Sequence, residues 1–230
     1  MSDHTPSTRP YADPADRFLG TDIGFDFYEK TTGEMHPIRH VPAPTQEIGA
    51  YVPEKQGFYE GRWQPKDKDG VPYGKLLDVY SSPEDLTDKK GQRLVTSFKK
   101  AVKATAKVKN FHGRDGAGFK NEDDLIKAVK AGDTTKLQKL WIPTKDILRD
   151  ILYENHRAEN VPSIMGIHWS STLAGIESEN KGGNPKDFVY AIDLSAPNPF
   201  FIPRVGGSTY KSPKSEYATR PVWAELVAEF

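Results

Sequence analysis

The chain has 230 residues, 32 basic against 32 acidic side chains and no cysteine, so it is long enough for one ordinary domain with extensions and carries no net charge. That balance argues against a dedicated nucleic-acid binder, and the missing thiols exclude disulfides, thiolate metal sites and a cysteine nucleophile. Hydrophobic residues make up 36%, low for a fully packed globule, which places part of the chain outside any core.

Residues 1–52 are expected to form an extended proline-rich arm. The segment carries Pro6, Pro10, Pro14, Pro37, Pro42 and Pro44 with no sustained hydrophobic period, so alone it buries too little surface to offset its ordering entropy. Within it Phe18, Leu19, Ile23, Phe25, Phe27 and Tyr28 form a dense apolar patch, which is read as packing on the chain's own domain or as a docking element for another subunit or partner. The first residues have neither a basic nor an apolar leader region, and no run approaches the ~20 apolar residues of a membrane span. Neither secretion through a signal peptide nor membrane insertion is expected.

Residues 53–230 are expected to form the domain. Gly57-Phe58-Tyr59-Glu60-Gly61-Arg62-Trp63 reads as a short strand, Asp69-Gly70 as a turn and Tyr73 to Tyr80 as a second strand, together a β-hairpin. From Gln92 to Lys109, Leu94, Phe98, Ala101, Val102, Thr105 and Val108 recur at steps of three and four, an amphipathic helix. Its lysines, Lys99, Lys100, Lys103, Lys107 and Lys109, read as a solvated face. The glycine-rich loop from Phe111 to Phe119 fits neither phosphate-binding pattern, since Phe119 stands where a P-loop needs lysine. Asn121 is placed to cap the next helix, which Gly132 ends.

Leu140-Trp141-Ile142-Pro143-Thr144 reads as a sharp strand-to-helix junction, with Thr144 accepting from free amides of the first turn. Ile147, Leu148, Ile151 and Leu152 form the apolar stripe of the helix behind it, and Trp141 and Trp169 are expected to pack against that helix. Phe188 to Leu194 alternates clearly as a strand, and Phe200 to Val205 is a second, whose Pro203 suits an edge. The last strand is placed at about Thr219 to Val227.

The order of Gly57-Phe58-Tyr59-Glu60-Gly61, Asp69-Gly70-Val71-Pro72-Tyr73, Trp141-Ile142-Pro143-Thr144, Trp169-Ser170-Ser171-Thr172 and Arg220-Pro221-Val222 resembles the Lcl C-terminal-like domain family, common in bacterial surface and bacteriophage proteins. The resemblance implies an α+β, C-type-lectin-like fold: two main helices around a small, twisted, mostly antiparallel sheet with long loops and a loop-rich ligand face. The sequence departs from the family at Trp223-Ala224 and in the insertion from Asn110 to Leu140.

Catalytic chemistry finds little footing. His36 and His40 lie in the arm, and His112, His156 and His168 are scattered, with no pair at ligand spacing on a predicted helix, so each is read as structural or exposed. A strand through His168 and Ser170 would put them on one face, yet no nucleophile elbow or orienting acid accompanies them. No metal or cofactor is expected. Asn180, Asn184, Asp187, Asn198, Tyr210, Lys211, Lys214 and Tyr217 supply the mixed polar and aromatic groups that sugar or protein binding uses.

The expected function is therefore a non-enzymatic recognition or structural module, a bacteriophage tail or capsid-surface protein that contributes to host attachment. Its partners would be other virion subunits, met through the arm, and a cell-surface glycan or protein. The alternatives are an intracellular enzyme or regulatory protein on the same scaffold, and a purely structural cement protein.

Overall fold

The computed structural model describes residues 44, 46–66, 72, 75–157, 161–173, 188–195, 201–205 and 215–227, most of the compact unit Ile48–Val227. The described residues form a small mixed α/β structure with antiparallel strands and four helices. β1 (Tyr51–Val52), β2 (Gly57–Trp63) and β3 (Leu77–Ser81) join β7 (Val222–Leu226) in one sheet of order β1-β2-β3-β7. β4 (Ile167–Leu173), β5 (Phe188–Asp193) and β6 (Phe201–Val205) form a second sheet. Every strand-to-strand pairing among the described residues is antiparallel. The expected hairpin is β2 against β3, with Trp63 opposite Leu77, and Pro203 lies on β6, an edge strand among the described residues. Two differences stand out. The strands split into two sheets rather than one, and Tyr51–Val52, assigned to the arm from its composition, pairs with Gly57 and Phe58 as an edge of the first sheet.

Helix α1 is Phe98–Lys107, shorter than the periodicity of 92–109 suggests. Tertiary pairing takes the first six residues: Leu94 N–H donates to Leu86 O, and Thr96 exchanges two backbone bonds with Tyr217. Phe98, Ala101 and Thr105 are buried, while the five lysines face water. α2 (Glu122–Ala131) is capped as expected: Asn121 accepts from Asp124 N, and Gly132 adopts φ 64 at the far end, a left-handed conformation that costs glycine little. α3 (Thr134–Leu137), four residues and too short to show a hydrophobic period, is capped by Asp133.

α4 (Ile147–Tyr153) is wound as a π-helix, with helical residues 145–146 and 154–155 on either side. Ile147, Leu148, Ile151, Leu152 and Tyr153 are all buried. They share the largest core cluster with Trp63, Leu77, Val79, Leu125, Trp141 and Val222. Trp141 thus packs with the helix as expected. Trp169 does not: it belongs to a second cluster with Phe98, Ile142, Val189 and Ala191, and its ring lies 5.7 Å from that of Phe98. Because β4 sits in the second sheet, Trp169 is carried to α1 instead of α4.

The two stretches 141–144 and 169–172 meet directly. Ser171 N–H donates to Pro143 O at 2.8 Å, Lys145 N–H to Thr172 Oγ1 at 2.9 Å, and Ile147 N–H to Thr144 Oγ1 at 3.3 Å. They can do so because β4 bulges. Trp169 pairs with Ala191 and Leu173 with Val189, so residues 170–172 fall outside the ladder and are free to cap α4.

Candidate functional site

Asp85, Arg93, His168 and Arg220 converge from four separate segments onto one buried carboxylate. Residues 82–86 run beside 219–221, held by Ser82 N–H to Pro221 O and Leu86 N–H to Thr219 O, both at 2.9 Å. This pairing brings Asp85 to Arg220. A tight loop follows, in which Asp88 Oδ1 accepts from the backbone of Lys90 and Gln92, and it returns the chain so that Thr87 bridges to Arg93. His168 arrives on β4, opposite Ile192 and beside Ala218.

Asp85 Oδ2 accepts from Arg93 Nε at 2.6 Å, and Oδ1 accepts from Arg220 Nε at 2.8 Å. His168 Nε2 stands 3.0 Å from Oδ1, and Nδ1 donates to Gly166 O at 2.9 Å. Burial works to raise the Asp85 carboxyl. The hydrogen bonds and charges of His168 and Arg220 outweigh it and hold the group well below the usual carboxylate range. Arg220 also donates through Nη1 to Ser82 O and Pro83 O, and Arg93 through Nη2 to Met165 O.

A cleft of about 340 Å³ opens over this network, lined by Asp85, Thr87, Arg93, Ser163, Met165 and Arg220 among others. Arg93 is the exposed member, with 42% of its side chain accessible against 10% for Arg220. Glu84 also lines the cleft and meets His112 Nε2 at 3.1 Å. A second depression of about 460 Å³ lies between residues 117–119 and α2.

A second polar network is closed. Between Tyr59 and Gly61 the β2–β3 register slips, so Glu60 sits at a bulge and its side chain turns inward, with 0% of it exposed. There its carboxylate accepts from Ser81 Oγ and from Asn155 Nδ2 at 2.8 Å, and His156 Nε2 lies 2.7 Å away. His156 Nδ1 faces Pro162 O. This network staples β2, β3 and the end of α4 and opens onto no described cleft.

The histidines fare differently from one another. His168 is engaged with Asp85 and Gly166, and Ser170 Oγ accepts from Thr172 N–H, so the bulge at 170 leaves the two side chains in separate bonding patterns. His112 has φ 48 and an edge-on contact with Phe111. Among the described residues no group of three or more His, Cys, Asp or Glu is placed to hold a metal ion. No helix among them is long and apolar enough to cross a membrane.

Of the expected ligand residues, Asn180, Asn184, Asp187, Asn198, Tyr210, Lys211 and Lys214 lie outside the described residues, as do Phe18, Leu19, Ile23, Phe25, Phe27 and Tyr28 of the arm. Tyr217 is described. It is half-buried, with its ring 4.8 Å from Trp169 and its backbone paired with Thr96, a core position rather than a loop one. Glu60, Asp85 and Arg93 were not singled out from sequence. Glu60 did carry a signal, a charge amid aromatics beside Gly61, which suits a bulge. Arg220 was legible only as the start of Arg220-Pro221-Val222. No family model matches the chain, and neither a curated protein nor a solved structure matches it.

Proposed function

We propose that the protein is a non-enzymatic recognition module with a C-type-lectin-like domain, a component of a bacteriophage virion that contributes to host attachment and binds its ligand in the cleft above Asp85. One observation carries the binding part. The ionisable groups meeting there are bonded to one another, while the cleft beside them stays open and retains guanidinium N–H groups. Arg93 uses Nε and Nη2, and Arg220 uses Nε and Nη1, so Nη1 of the first and Nη2 of the second have no hydrogen-bond partner among the described residues. A carboxylate held ionised by His168 and Arg220 is a poor general acid or base but a firm mount for the two arginines bonded to it. The virion part rests on the resemblance of the motif order to the Lcl C-terminal-like family. Sedimentation of the native protein from its source, with electron microscopy of the fraction that holds it, tests this. Co-sedimentation with a large particle, lost when residues 1–47 are removed, is expected, and a small free species overturns the attachment reading.

An enzymatic reading has two observations in its favour. Burial pushes the Glu122 carboxyl up, against the pull of its hydrogen bond with Thr172, and a raised carboxyl is what general acid chemistry uses. The buried Ser171 Oγ has no hydrogen-bond partner. A covalent serine probe that labels the wild type and spares Ser171→Ala would favour an enzyme over a binding module.

A further inference from the structure

We infer that the cleft above Asp85 takes the carboxylate of a small acidic sugar, an inference that rests on reading this cleft as the binding face. Charge and geometry both favour a carboxylate. Arg93 and Arg220 are positive, Asp85 beside them is ionised, and Glu84 at the rim, with 57% of its side chain exposed, adds a second carboxylate beside His112. Glu84 repels a dianion more than a monoanion, and the two oxygens of a carboxylate match the donor geometry of guanidinium groups.

The donors are available and fixed. Arg220 is nine-tenths buried and anchored by three hydrogen bonds to Asp85, Ser82 and Pro83. Its orientation is therefore set before any ligand arrives, which lowers the ordering cost of binding. Arg93 lies close against the turn at Gly166, which leaves room for its guanidinium. A Cβ there would stand 3.3 Å from Nη1, at a backbone φ of +88.

The rest of the cleft suits a sugar ring. Thr87 and Ser163, whose hydroxyls can both donate and accept, line it, and Pro83 and the 58% exposed Met165 add apolar side chains. A pyranose offers the same combination, hydroxyls around an edge and C–H groups on a face. The volume of about 340 Å³ is at the small end of ligand sites, the size for one ring rather than a long peptide.

The test is a calorimetric and NMR titration of the full chain with glucuronate, methyl glucoside, N-acetylglutamate and inorganic phosphate. Glucuronate is expected to bind at least about tenfold more tightly than each of the others, because each lacks either the carboxylate or the ring. Shifts should centre on the amides of Thr87, Arg93 and Ser163. Arg93→Gln should weaken glucuronate at least about tenfold, and Arg93→Lys should restore part of the loss by returning the charge without the fork. Ser163→Ala, at an exposed position, should weaken binding with thermal unfolding unchanged, which separates a lost contact from a damaged fold. Equal affinity for methyl glucoside overturns the carboxylate assignment, equal affinity for N-acetylglutamate overturns the sugar, and glucuronate binding that is indifferent to Arg93→Gln overturns the site. If methyl glucoside binds as well as glucuronate, with shifts at Thr87 and Ser163, the recognition reading stands without this inference. If glucuronate binds but the protein never travels with a particle, the inference stands without the attachment reading.

Discussion

Glu60 shows how one irregular position organises its surroundings. A carboxylate on a regular strand at this place would have followed the alternation of its neighbours. The bulge between Tyr59 and Gly61 instead delivers it to Ser81, Asn155 and His156. Removing one member of a buried, bonded group costs about 3–5 kcal/mol, because the partners stay buried without compensation. Glu60→Ala is therefore expected to lose stability in that range in urea unfolding, and Glu60→Gln, which keeps hydrogen-bonding capacity, to lose clearly less. Gly57 is constrained by space rather than conformation. A Cβ there would meet Trp223 Cη2 at 2.1 Å and Ser81 O at 2.6 Å, and neither a buried indole nor a strand carbonyl can retreat cheaply. Gly57→Ala should cost at least about 1–3 kcal/mol, the usual range for overpacking, measured by the same unfolding experiment. Glu122 tests the opposite sign. Its carboxyl is raised by burial, so the folded state holds the proton more tightly than the unfolded chain, and ionisation subtracts stability as pH rises from the ordinary carboxylate value through the folded one. Glu122→Gln is expected to raise Tm at pH 7 and to leave it unchanged near pH 3, where the wild-type group is also neutral. A lower Tm at pH 7 would mean that its charge at the α2 N-terminus outweighs the burial.

Among the elements, α4 and the bulged end of β4 carry the connection between the two sheets. Thr144→Ala removes the acceptor for Ile147 N–H and should cost about 1 kcal/mol, the typical worth of such a cap. The π-winding of Ile147–Tyr153 keeps five large side chains buried, and the turn that follows delivers Asn155 and His156 to Glu60. Local chemistry made much of this legible in the sequence. Pro143-Thr144 announces a helix start, Asn121 and Gly132 bracket α2, and the alternation from Phe188 marks β5, because caps and periods are set by neighbours in the chain. What sequence did not reveal depends on distant partners. The first six residues of the periodic stretch at 92–109 are drawn into bridges with Leu86 and Tyr217, Trp169 goes to α1 with its sheet, and the winding of α4 as a π-helix has no local signature. The cleft is the extreme case. Asp85, Arg93, His168 and Arg220 are separated by up to 135 positions, and a lone aspartate between Glu84 and Leu86 carries no mark of the arginines that will meet it.

At the scale of the whole molecule, Asp85 is a second point where the two sheets are tied. Its carboxylate joins the segment after β3, the loop ending at Arg93, His168 of the second sheet and Arg220 leading into β7. Its folded carboxyl is held below the ordinary value, so the unfolded chain takes up the proton first as pH falls. The contribution to stability is then complete above the unfolded value of about 4 and is lost as pH drops through that value toward the folded one. Wild-type protein should lose cooperative stability steeply below about pH 4. Asp85→Asn cannot titrate, and it leaves Arg93 and Arg220 facing a neutral amide. It should be destabilised at pH 7, by up to about 3–5 kcal/mol as for other broken buried pairs, and show a flatter slope below pH 4, so that the two curves converge in acid. Urea unfolding of both proteins at a series of pH values checks this. Parallel curves would assign the acid sensitivity to other carboxylates and make Asp85 a local mount for its arginines rather than a tie between the sheets.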